Sequence, residues 1–230
     1  MKAPERKALE AELFGLLSSK MLERGFTLTK IPRNENSPSY KAFVRGTKSY
    51  SQSIIPLLTS TKFGDHIRLE FFLRVKIFRV LEFLRDYLSS LPDPRMKWVD
   101  GTSGCLLTNL RVHGDEYDWR FSKPSDISLH LPDFIERLDR LAIPFLERYS
   151  SEVAVAEQIE KSIGNRRVQI PMLRTADRGQ ILLAIYLLHE EFDKFKRMVP
   201  VMRDEIAKDN GGYFLPSYDA IVSAMQNNFR

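Results

Sequence analysis

Cysteine occurs once in the 230 residues, as Cys105. That excludes an intramolecular disulfide and any multi-cysteine metal site, and it fits a reducing compartment. Between Gly104 and Leu106-Leu107 the thiol is expected to be buried and inert, because a reactive one needs a basic, partly exposed setting. Long apolar runs are missing too. The longest, Ile181 to Leu188, falls far short of the roughly 18 residues that a spanning helix needs. The first residues, MKAPERKALEAELF, carry charge where a secretory signal would be apolar, so no membrane segment and a cytoplasmic location are expected. The histidines His66, His113, His130 and His189 are scattered, with no second His or Cys at ligand spacing, and no metal site or cofactor is implied. Gly101-Thr102-Ser103-Gly104 lacks the Lys-Ser/Thr that makes a phosphate loop and reads as a turn. There is no Gly-x-Ser-x-Gly elbow and no dinucleotide fingerprint.

What is present is pattern. In DHIRLEFFLRVKIF, residues 65 to 78, Ile67, Leu69, Phe71, Leu73, Val75 and Ile77 alternate with His66, Arg68, Glu70, Arg74 and Lys76. A period of two held for a dozen residues predicts a long strand with one core face and one charged face. Strands are also expected at 26 to 31, 40 to 45, 50 to 58, 96 to 99, 105 to 113 and 117 to 121, with Pro56 placing its strand near an edge or ending it early. A helix over 5 to 24 puts Leu9, Leu13, Leu16, Leu17 and Met21 on one stripe, and Gly25 stands at its C-cap. Arg79 to Leu88 has helical spacing. From Leu131 onward only helices are expected, with Pro144 kinking or dividing one, Pro200 interrupting another and Thr175 capping a third.

These elements predict an α+β fold. An antiparallel sheet with a long central strand is packed by the N-terminal helix and followed by an all-helical C-terminal region. The expected division is a sheet domain over 1–149 and a helical region over 150–230 packed on it. Charge is uneven, since residues 1 to 100 hold 18 Lys/Arg against 11 Asp/Glu and the remainder 17 against 19. On the polar face of the sheet, Arg68, Arg74, Lys76, Arg111, His113 and Arg120 are the candidate binding residues, with Phe72, Tyr117 or Trp119 as aromatic neighbours. Such a face suits single-stranded nucleic acid, although half-exposed strands carry the same residues simply to stay soluble.

One resemblance bears on function. The Gly25-Phe26 helix end, the Phe43-Val44-Arg45 strand, the Gln52 strand and the long alternating strand, with Ala142-Ile143-Pro144-Phe145-Leu146 in a closing helix, resemble a bacterial family of small cytoplasmic proteins known only as a domain of unknown function. The resemblance covers roughly residues 5 to 150 and excludes the C-terminal helices. Such families recur among immunity proteins, so it implies a protein partner, a toxin in that case, and no catalytic residues. Three readings follow in order. The first is a non-enzymatic protein-binding module, with the immunity-type protein as its specific form. The second is a nucleic-acid-associated protein, and the third an enzyme with a dispersed site.

Overall fold

The computed structural model of the chain describes residues 3–31, 40–60, 66–89, 101–110, 117–165 and 174–227. In order they form α1 (Ala3–Leu22), β1 (Thr27–Ile31), β2 (Tyr40–Gly46), β3 (Tyr50–Ser60), β4 (Ile67–Ile77), α2 (Phe78–Leu88), β5 (Ser103–Leu106), β6 (Trp119–Phe121), α3 (Ser125–Arg137), α4 (Ile143–Arg148), α5 (Glu152–Ser162), α6 (Thr175–Leu188), α7 (Phe192–Lys208) and α8 (Leu215–Asn227). The expected strand at 96 to 99 lies outside the described residues. The fold is α+β, with an antiparallel sheet, an N-terminal helix and a helical C-terminal region. No helix among the described residues is long and apolar enough to cross a membrane.

The chain divides into two compact units, each discontinuous in sequence. One comprises Met1–Thr47, Ser51–Arg74 and Cys105–Glu147, the other Lys48–Tyr50, Val75–Gly104 and Arg148–Arg230. The end of β4 and all of α2 therefore group with the C-terminal helices rather than with residues 1–149.

The sheet runs β1-β2-β3-β4-β5, and β6 pairs with β4. Every apolar residue on the odd side of β4, from Ile67 to Ile77, is buried, as the alternation predicts. Phe71 meets Trp119 edge-on with ring centroids 5.7 Å apart and Phe134 of α3 at 6.1 Å. β3 lies between β2 and β4, so Pro56 marks neither an edge strand nor a strand end. It follows the β2–β3 register, which runs from Gly46↔Ser51 to Phe43↔Ile54, and its missing N–H costs no bond to that neighbour. The strand expected over 105 to 113 stops at Leu106, and Leu107–Leu110 is a 3-10 turn. Thr108 and Asn109 there are residue types whose side chains compete for backbone bonds.

α1 ends as its glycine predicts. Gly25 takes φ +77°, the Phe26 N–H donates to the Met21 carbonyl and the Gly25 N–H to the Leu22 carbonyl. These two bonds satisfy the last carbonyls, and Phe26 packs in the core with Met21. α3 and α4 are joined by a π-helical turn, Leu138–Ala142, in which the Ile143 N–H reaches back five residues to the Leu138 carbonyl. Pro144 explains the widening, because its ring would otherwise crowd the carbonyl four residues before it. The helix is thus widened without being divided.

In the second unit α6 is buried on nearly every side and packs against α2, α5, α7 and α8, which its all-round apolar sequence requires. Thr175 does not cap it. Arg174 holds the cap position, and the Thr175 hydroxyl donates to Asp209 at 2.8 Å. α7 continues through Pro200, which lies on its exposed side.

Candidate binding surfaces

The five cations and one histidine read from the sheet's polar face do not assemble into one exposed surface. Arg68 of β4 and Arg120 of β6 are directly opposite each other in the antiparallel register and both are exposed. Like charges so placed repel, and Asp118 sits between them, 3.3 Å from Arg68 and 2.5 Å from Arg120. One of the pair's two charges is therefore neutralised at close range. Arg74 corrects the expectation of a solvent-facing residue. It is only 4% exposed, with its guanidinium 5.8 Å from the centre of the Tyr40 ring. Ala42, Ser53 and Ile55 are buried as well, so the polar side of β4 is not a free face along its length. Six residues of strand put Arg74 about 20 Å from Arg68. Lys76 is half-buried, and Arg111 and His113 lie outside the described residues.

Other chemistry-bearing groups have structural partners. Cys105 is buried, and desolvation, with the Glu70 charge adding to it, pushes its thiol pKa far up, away from nucleophilic use. His66 Nδ1 lies 2.6 Å from Ser122 Oγ, but the neighbouring Asp126 accepts the backbone N–H groups of Ser122 and Lys123, and no carboxylate among the described residues bonds this imidazole. A base-nucleophile pair without that third group lacks the triad arrangement. His189 Nε2 contacts Glu152 at 2.6 Å, while Arg79 donates to the Leu188 carbonyl at 2.8 Å and closes the C-terminal end of α6. No group of three or more His, Cys, Asp or Glu among the described residues is placed to hold a metal ion.

A different surface gathers at the edge of the first unit. β1 is the terminal strand, and Thr27, Leu28, Thr29 and Lys30 are all exposed. Its outward backbone groups have no ladder partner among the described residues, where β1 pairs with β2 alone. The start of the strand is fixed firmly. Arg24, just before it, donates to both carboxylate oxygens of Asp139 at 2.5 and 2.6 Å and holds that acid below the ordinary carboxylate range. Arg45 of β2 lies 4.5 Å over the Phe26 ring and donates to the Arg24 carbonyl, Gln52 and Glu147. Buried Gln52 in turn donates to the Leu146 carbonyl.

Beside β1 is an open recess of about 240 Å³ between Arg6, Glu10 and Phe14 of α1, Lys30 of β1, Lys41 of β2 and Leu58 of β3. That is smaller than the roughly 300–1,000 Å³ of small-molecule and cofactor sites. It has room for a side chain. Lys41 lies 4.8 Å over the Phe14 ring, and Arg6 donates to the Leu58 carbonyl at 3.0 Å. Among the described residues three cations thus face one carboxylate. Sequence reasoning missed Arg6, Lys30 and Lys41, because only the strand register brings them together.

No family model, curated protein or solved structure matches this chain.

Proposed function

We propose that the protein is a non-enzymatic binding module for a protein partner, and that an extended segment of the partner pairs along β1. The observation that carries this reading is the position of β1 at the end of the sheet with four of its five residues exposed. Strand addition draws affinity from main-chain hydrogen bonds and specificity from alternate side chains, and it needs an open, rigid edge. The Arg24–Asp139 and Arg45–Gln52 bonds supply the rigidity, which lowers the ordering cost of binding. Lys30 alone would also serve simply to keep an edge soluble. The partner experiment separates these uses. An immunity-type role, with a toxin as partner, is the specific form suggested by the resemblance over residues 5 to 150, and a cytoplasmic setting belongs to the same reading.

Nucleic-acid binding is the second reading, and its best support is the exposed Arg68–Arg120 pair; Trp119 is buried against Phe71 and Phe134 on the other face of the sheet and offers that pair no stacking surface. Asp118 counts against it. The test is site-specific photocrosslinking in the native host, with the photoreactive residue at Leu28 in one variant and at Arg120 in another. One dominant protein adduct from Leu28, absent from Arg120, is expected. Nucleic-acid adducts from Arg120 would establish the second reading, and adducts from Leu28 no stronger than from Arg120 would refute the first.

A further inference from the structure

Lys30 and Lys41 are cross-strand partners in the β1–β2 register, so their side chains leave the same face of the sheet. Two like charges in that position repel each other. Unlike Arg68 and Arg120, they have no bridging carboxylate among the described residues. Neither makes an ion pair with a described residue, and Lys41 rests on an aromatic ring instead. Arg6 adds a third positive charge to the same recess, and its one hydrogen bond is to a neutral carbonyl. Among the described residues Glu10 is the single carboxylate in the lining, and no ion pair joins it to any of the three. The recess therefore keeps a surplus of two positive charges that the described chain does not neutralise.

The register also fixes what lies beside it. Leu28 is two residues before Lys30, faces the same side and is 42% exposed, opposite buried Phe43. A strand laid along the free side of β1 would bring alternate side chains next to Leu28 and Lys30. We propose that the recess formed by Arg6, Lys30 and Lys41 is an anion subsite of the docking edge, which receives an aspartate or glutamate carboxylate from an extended partner segment whose residue two positions away is apolar and covers Leu28. This inference rests on the reading of β1 as the docking strand. Charge complementarity selects an acidic segment over a second copy of the same edge, because self-pairing would add another Lys30 and no carboxylate from β1.

The experiment uses two blocked synthetic peptides, Thr-Thr-Val-Thr-Glu-Thr-Val-Thr-Thr and the same sequence with Gln in place of Glu. Valine on both sides of the central residue makes the outcome independent of strand direction. Each is titrated into the full-length protein while the β1 amides are followed by NMR. The Glu peptide is expected to bind about tenfold more tightly than the Gln peptide, a difference of about 1.4 kcal/mol. In the double variant Lys30→Gln, Lys41→Gln that preference should vanish while the weaker, backbone-driven binding of the Gln peptide survives. Lys30 is exposed and Lys41 half-buried, so the double variant should fold; it removes their mutual repulsion together with the Lys41–Phe14 contact, and the melting temperature should change little. Protection of β1 by both peptides with equal affinity would overturn the subsite and leave the docking strand standing. If neither peptide perturbs β1, the docking strand fails and the subsite with it.

Discussion

Replacing Phe71 by alanine removes a ring that is fully buried at the centre of β4 and held edge-on by Trp119 and Phe134. The atoms beyond Cβ take roughly 120 Å² of apolar area with them, worth about 3 kcal/mol at about 25 cal/mol per Å². Two aromatic pairs at about 0.5 kcal/mol or more each bring the loss to about 4 kcal/mol, before any relaxation of the cavity. A domain stable by about 5–15 kcal/mol would lose a large part of its margin. Urea denaturation followed by circular dichroism measures it, with an unchanged slope showing that the denatured state is comparable. Arg68→Ala, on the opposite face of the same strand with its side chain 48% exposed, is the control and should cost less than about 1 kcal/mol. A cost below about 1 kcal/mol at Phe71, or a larger one at Arg68, would refute the assignment of the two faces.

The remaining predictions concern the supports of β1 and the helical unit. Arg24 depresses the pKa of Asp139, so the folded state binds that proton less readily than the unfolded chain; the pair's stabilisation is present above the ordinary aspartate value of 3.8 and is lost as pH falls through the lower, folded value. Arg24→Met should accordingly lower the melting temperature most at neutral pH and less as pH falls through the lowered Asp139 value, and an effect that does not shrink on acidification would contradict the linkage. Gln52→Ala removes the buried amide that donates to the Leu146 carbonyl and accepts from Arg45, a loss of about 1–2 kcal/mol by chemical denaturation; a loss under about 0.5 kcal/mol would show the network to be dispensable. Truncation after Gly164 deletes α6 and α8, against which α2 packs, so the fragment should aggregate or bind hydrophobic dyes, and a soluble, cooperatively melting fragment would contradict the grouping of α2 with the C-terminal helices.

The alternation in β4 was legible because a long run of period two has only one way to bury its apolar side, and the α1 stripe and Gly25 were legible for the corresponding helical reason. The other face of β4 was not. Alternation reports which side chains are polar and says nothing of whether that side is covered, so Arg74 reads like Arg68 in the sequence and differs from it in the fold. Pro56 misled because its tolerance depends on where a ladder stops, which is a property of pairing. Thr175 has a capping residue's chemistry but stands one residue inside α6, with Arg174 at the cap position, and its hydroxyl donates to Asp209, 34 residues away. The candidate site was hidden for the same kind of reason. Arg6, Lys30 and Lys41 are spread over 36 positions as unremarkable surface cations, and only the register Lys30↔Lys41 and the packing of α1 beside it gather them around one recess.

Hydrogen exchange at β1 tests the central claim most directly. In the free protein, the β1 amides that point away from β2 should exchange rapidly, while those bonded to β2 should be slow. When the partner identified by crosslinking at Leu28 is bound, the account predicts that the outward amides of Thr27–Ile31 become protected in alternation. Protection confined to other surfaces, with the β1 amides exchanging as in the free protein, would contradict it.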